Sequence, residues 1–177
     1  MDTFEQLFEE TLKDIYYAEK AILKALPKMA KKATSKKLQS AFVKHESETE
    51  KQVDRLDQVF ELLGKRASGK KCPAIDGIIE EASELMKEVT DDTVRDAAML
   101  AAAQAVEHYE ISRYGTMVAW AAKMNMSKVE KLLQATLEEE KATDAKLTEL
   151  ANVEINIAAE EGDDEEVAPK RRAGGLR

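Results

Sequence analysis

Several carboxylates in this chain stand where an apolar side chain would be the ordinary choice. Glu19 follows Leu12 by seven and Ile15 by four, and it precedes Ile22 by three and Leu26 by seven. In a helix all five share one face. On a second stripe His45 follows Phe42 by three and Glu48 follows His45 by three, with Gln52 and Leu56 continuing the line. A third stripe holds Leu100, Gln104, Glu107, Glu110, Tyr114 and Met117, and a fourth holds Leu133, Leu137, Glu140, Asp144 and Leu147. Each stripe puts one or two groups able to ligate a metal near its middle. Mid-helix positions meet at mid-bundle, so Glu19, His45, Glu48, Glu107, Glu110, Glu140 and Asp144 are candidate ligands of one site.

The chemistry follows from charge. A buried ionised carboxylate costs several kcal/mol unless it is paired or metal-bound. The six carboxylates bring −6 if all are ionised, and no Lys or Arg on the stripes is placed to balance them. Two divalent ions supply four positive charges and two ferric ions six, so a dimetal centre balances the set. One imidazole among many carboxylates is a hard-oxygen donor set, which suits iron first and manganese second rather than zinc or copper. A helical glutamate ordinarily lies on a solvated flank. Repetition on four helices is what lifts this pattern above that reading.

Helices must carry these groups. Of 177 residues only seven are Gly, three are Pro and 5% are aromatic, an all-α composition. The first helix runs from about Thr3, with Gln6 completing a capping box, to Lys32. Pro27 inside it predicts a kink one turn upstream. Ser35 caps the second, which stops at Gly64. A loop to Ile75 leads to a short helix from Asp76. Thr90 or Asp91 caps the next long helix, Asn125 ends it, and Ser127 with Glu130 is read as the capping box of the last, which continues to about Ala159. Four helices of about 30 residues, each roughly 45 Å long, form two hairpins joined by a long connection carrying a short extra helix. This is a ferritin-like four-helix bundle with one long crossover. The bundle domain spans 1–159. Residues 160–177, with six acidic and four basic residues, read as a disordered charged tail.

Composition excludes other classes. A net charge of −8 and a pI near 5.0 argue against nucleic acid as a partner. No stretch approaches the roughly 18 apolar residues of a membrane span. Met1–Glu5 lacks the basic start and apolar core of a signal peptide, and a lone cysteine leaves no internal disulfide or cysteine-rich zinc module. The expected location is the cytoplasm. No serine or cysteine triad and no phosphate-binding glycine loop occurs.

Other residues have plainer expectations. His108 points about 100° away from Glu107 and is expected in an interhelical hydrogen bond. Asp14 lies off the Glu19 face. Tyr17, Tyr109 and Tyr114 are expected as core tyrosines with bonded hydroxyls, Tyr114 being best placed to reach a ligand. Cys72, in a lysine-rich loop before Pro73, is expected at the surface.

Four segments in order, Leu12–Glu19, His45–Thr49, Glu107–Glu110 through Tyr114–Gly115, and Glu138–Lys141 to Asp144, resemble the YciF-like bacterial stress proteins of the ferritin-like, rubrerythrin-type di-iron superfamily. The resemblance spans about residues 3–155. It implies a dimetal centre, a homodimer and expression linked to stress. The general di-iron pattern has Glu-x-x-His on two helices. Here one reads His45-x-x-Glu48 in reverse, and the other reads Glu140-x-x-x-Asp144 with no histidine. The expected function is binding of two metal ions that react with oxygen or peroxide. A non-enzymatic stress or interaction protein, with a structural metal or none, is the alternative. Iron storage would require a hollow shell of many subunits.

Overall fold

The computed structural model describes residues 1–167, with side chains to Glu161. Its helices are α1 (Phe4–Lys32), α2 (Lys36–Leu62), α3 (Pro73–Glu88), α4 (Asp92–Lys123), α5 (Ser127–Leu150) and α6 (Asn156–Val167), with a π-helical turn, Ala151–Ile155, between the last two. There is no strand among the described residues. α1 packs on α2, α4 on α5, α2 on α5 and α1 on α4, and the short α3 covers α4 and α1. The molecule is thus a ferritin-like four-helix bundle whose α2–α4 crossover carries α3.

The helix ends follow local chemistry. The Gln6 amide donates to Thr3 Oγ1 at 3.2 Å, and Gln6 Oε1 accepts from the Asp2 amide at 2.8 Å. Asp91 Oδ1 caps α4, accepting from the Thr93 and Val94 amides at 2.8 and 2.9 Å. Such a cap contributes about 1 kcal/mol. Gly64 (φ +66°) and Asn125 (φ +58°) take the left-handed conformation that reverses the chain after a helix. At Asn125 the following amide, of Met126, donates back to the Ala121 carbonyl at 2.9 Å.

α1 keeps its expected extent, Phe4–Lys32, with Pro27 inside it. Some other boundaries differ from those expected. α3 begins at Pro73 rather than Asp76, because proline at the first helical position has its φ preset and needs no amide partner. Ser127 is already helical and Met126 precedes it, without a side-chain cap; the tight reversal at Asn125 brings the helix on one residue early. Past Leu150 the chain remains helical to Val167, beyond residue 160 where the charged tail was expected to begin. The rest of that tail, 168–177, lies outside the described residues. The π turn has its own use: its Glu154 accepts from Ser35 Oγ at 2.7 Å and pairs with Lys37 at 2.6 Å, tying the segment after α5 to the start of α2.

The α1–α2 hairpin is anchored on a buried acid. Asp96 of α4, 2% exposed, accepts from the Thr34 amide and hydroxyl and from the Ser35 amide at 2.7–3.1 Å. Both of its oxygens have donors.

Candidate metal centre

At mid-bundle stands a second group of buried acids, treated quite differently. Glu19 of α1, Glu107 and Glu110 of α4 and Glu140 of α5 are 0% exposed, and His45 of α2 is 4% exposed. One donor atom from each of His45, Glu107, Glu110 and Glu140 lies within 4.8 Å of the others. His45 Nδ1 is 3.2 Å from Glu107 Oε1, and Nε2 is 4.0 Å from Glu140 Oε2. Glu19, on the α1 side, is not one of these four; it lies near enough to Glu110 and Glu140 for their charges to act on it, and it accepts a hydrogen bond from the Tyr114 hydroxyl.

Apart from that bond the cluster lacks donors. Ten buried side-chain polar atoms among the described residues have no hydrogen-bond partner, and eight of them are here: Glu19 Oε2, His45 Nε2 and both oxygens of Glu107, Glu110 and Glu140. Buried polar groups in native proteins are nearly always satisfied, as Asp96 is. Oxygens that face one another without donors call for a cation or for protons.

Electrostatics state the same need. Burial, then repulsion from Glu140, pushes the Glu19 carboxyl well above its usual range, against the pull of the Tyr114 hydroxyl. Burial, then the neighbouring Glu19 and Glu140, raises Glu110 likewise. Glu107 is pushed up to about 11 by burial and by Glu140. Glu140 rises to about 7, again by burial, with the neighbouring protonated Glu107 carboxyl opposing. Burial lowers His45 to about 4, so its imidazole is neutral and free to ligate. A metal-free cluster holds protons instead.

Glu48 and Asp144 occupy the rim. Each is half-buried, and each has a partner. Glu48 pairs with Lys44 at 2.7 Å. Asp144 accepts from Gln104 Nε2 at 3.1 Å and lies 3.3 Å from Nε2 of the exposed His108, so His108 does reach across to another helix. Neither joins the group whose donor atoms converge within 4.8 Å.

The Arg55–Glu139 clamp beside the site was not foreseen, nor the burial of Cys72, whereas Tyr109 has the bonded hydroxyl expected of it. Arg55 of α2 holds Glu139 of α5 with two bonds, 2.6 and 2.7 Å, and Gln52 Nε2 donates to the same carboxylate at 3.3 Å. Arg55 stands three residues after Gln52, on the flank of the α2 stripe, which was the available signal. Tyr109 donates to Asp14 at 2.6 Å. Its one proton is thereby used, so the Cys72 thiol, 3.0 Å away, donates to the phenol oxygen. Cys72 is 1% exposed, not at the surface as expected: the loop before α3 folds over α1, where the Lys70 amide meets the Lys13 carbonyl at 3.0 Å.

Among the described residues no helix is long and apolar enough to cross a membrane. Residues 3–160 match the family described as a domain of unknown function, DUF892. The chain is 47% identical over 161 residues to protein YciF of Escherichia coli K12, covering 90% of this chain and 97% of that protein. The crystal structure of the E. coli stress protein YciF superposes with a TM-score of 0.84 over 88% of this chain and 99% of that one. YcfI of Rhodopseudomonas palustris is 52% identical with a TM-score of 0.82, over 83% of this chain and 94% of that one. A protein of Xanthomonas campestris pv. campestris shares the fold at 21% identity and a TM-score of 0.72, over 92% of this chain and 99% of that one. With a ferritin-like bundle and a buried His/Glu cluster able to hold a metal, this chain belongs to the DUF892 family, together with YciF.

Proposed function

We propose that this protein is a dimetal-carboxylate stress protein that binds two ions, iron first and manganese second, and reacts with oxygen or peroxide. The observation that carries this reading is the set of eight buried donor atoms without partners. Glu19, His45, Glu107, Glu110 and Glu140 would hold the metals, with Glu48 and Asp144 at the rim. The four buried carboxylates bring −4 when ionised, the charge two divalent ions balance. Bound ions would supply Lewis acidity and one-electron redox capacity toward the oxidant. The chain's own part is to hold the donors. Tyr114 orients Glu19 through its hydroxyl, and Arg55 fixes the α5 backbone one residue before Glu140. The apolar surroundings keep bulk water away. A cytoplasmic homodimer serving a stress response goes with this reading.

One observation favours a second reading, a non-enzymatic stress or interaction protein on the same bundle with a structural metal or none. Burial raises all four carboxyls, so a metal-free cluster can offset its charge by holding protons instead of ions.

Elemental analysis decides between them, on protein purified without chelator or affinity metal. Wild type is expected to carry close to two Fe or Mn per chain, and the Glu19→Ala/Glu140→Ala double variant none. Wild type that is metal-free, takes up no iron anaerobically and keeps its melting temperature when iron is offered would overturn the dimetal reading. Loaded protein whose metal is inert to oxygen and peroxide would leave the structural-metal reading.

A further inference from the structure

A cavity of about 160 Å³ opens between α1, α3 and α4. Alanines line it from three helices, Ala21 and Ala25 of α1, Ala82 of α3, Ala102 and Ala103 of α4, among larger apolar side chains such as Ile22, Leu26 and Val106. Small side chains leave room there that a single leucine would close. Ile79 and Met86 of the crossover helix complete the outer wall, and exposed Lys24 and Lys28 stand at the mouth. The floor is His45. No other α2 residue lines the cavity, and His45 belongs to the helix on the far side of the bundle. The space therefore passes through the α1/α4 seam and ends on the metal cluster.

We propose that this cavity is a binding site for a small, uncharged, apolar molecule of about the size of one aromatic ring, held against the His45 side of the cluster. Size and lining set the occupant. An apolar cavity of about 150 Å³ is large enough to take up benzene or xenon. Beyond the lysines at the mouth, the polar lining here is Ser83 and His45, too little for the two to four partners a buried water needs. The crossover helix then has a role besides linking two hairpins: its alanine and isoleucine face is the outer wall of the site. The molecule's role as a reactant or co-substrate of the metal centre rests on the function proposed above. Its binding does not, since the cavity is formed by the chain alone.

The test is titration of the full-length protein with fluorobenzene, followed by ¹⁹F NMR, both as purified and after metal removal. Saturable binding with a Kd on the order of 1 mM or tighter is expected, with displacement by xenon and a shift of the His45 side-chain ¹⁵N resonances. Ala25→Leu and Ala82→Leu, on different helices, should each weaken binding by about tenfold or more while the circular dichroism stays that of a folded helical bundle. Absence of saturable binding to folded wild type overturns the proposal. So does binding that neither filled variant weakens, or that leaves His45 unmoved. Because metal-free protein is included, failure here concerns the cavity, whereas failure of the metal reading shows in the elemental analysis.

Discussion

Arg55 grips Glu139 with two parallel hydrogen bonds, 2.6 and 2.7 Å long, one residue before Glu140 enters the buried cluster. The pair bridges α2 and α5, the helices that also bring His45 and Glu140 to one level. A bidentate guanidinium–carboxylate pair fixes orientation as well as distance. Arg55→Ala is therefore expected to loosen the far side of the site. A stability loss of about 1–2 kcal/mol should accompany roughly 10- to 100-fold weaker metal binding. Anaerobic iron titration alongside denaturant unfolding measures both, and unchanged affinity would show that the clamp has no part in positioning Glu140.

Replacing Glu107 with glutamine removes a group forced to keep its proton at neutral pH and puts a neutral amide of the same shape in its place. Metal-free Glu107→Gln is expected to be as stable as metal-free wild type or more so, since replacing a buried ionisable group often stabilises by about 1 kcal/mol or more. It should also bind fewer metal ions. Higher stability with intact metal stoichiometry would remove Glu107 from the ligand set.

Stability of the metal-free protein should fall with rising pH above neutrality. Glu107 has its pKa raised to about 11 and Glu140 to about 7, both from a usual value of 4.5. The folded chain thus holds protons that the unfolded chain has released. This contribution is complete below the unfolded pKa and declines as pH climbs, through about 7 for Glu140 and on toward about 11 for Glu107. His45, lowered from 6.5 to about 4, acts in the opposite sense, and only as pH falls below about 6.5. Between pH 7 and pH 9 Glu107 contributes up to about 1.4 kcal/mol per pH unit, while the Glu140 slope, already halved at pH 7, fades by about pH 8. Urea midpoints at pH 7, 8 and 9 measure the slope. Metal binding should strengthen over the same range because the ligands must lose their protons.

Tyr114→Phe deletes the hydroxyl that donates to Glu19 and leaves that oxygen without a partner. A cost of about 1–3 kcal/mol to the metal-free protein is expected, together with weaker metal binding. Melting curves with and without added iron separate the two effects. A variant that binds metal as wild type does would confine Tyr114 to packing.

Asp96 offers the contrasting case. Asp96→Ala strips the acceptors from Thr34 and Ser35 and should destabilise the protein by about 3 kcal/mol, yet leave the number of bound metals unchanged, because the residue lies at the hairpin and not in the cluster. Elemental analysis of the variant under conditions where it remains folded checks this.

Much of the fold was legible in the chain. Amphipathic spacing marked the four long helices, Thr3, Ser35 and Asp91 marked three starts, and Gly64 and Asn125 marked two stops. Those signals are local: a cap or a left-handed turn depends on residues within one helical turn of it. The boundaries that shifted depended on more than that. Ser127 and Glu130 have the right types for a capping box, but the reversal at Asn125 had already set the geometry. The π turn at Ala151–Ile155 answers to Ser35 and Lys37, over a hundred residues away in the chain.

The candidate site divides the same way. Periodicity assigns each acid an angle around its own helix, which brought Glu19, His45, Glu48, Glu107, Glu110, Glu140 and Asp144 into one list. Depth is a property of the neighbours. Glu107 and Glu110 lie under α1, α2 and α5 with their oxygens bare, while Asp144 and Glu48, on equally apolar stripes, lie far enough around to meet Gln104 and Lys44 at the rim. Likewise Cys72 sits in a lysine-rich loop, yet it is buried because that loop folds over α1 and delivers the thiol to Tyr109. By itself the sequence determined the helices, their hairpins and the supply of hard-oxygen ligands, since each depends on residue type and short spacing. Only the tertiary structure decided which candidate ligands lose all solvent and which salt bridge stands beside them. It alone left a cavity at His45, because these features arise where surfaces from distant segments meet.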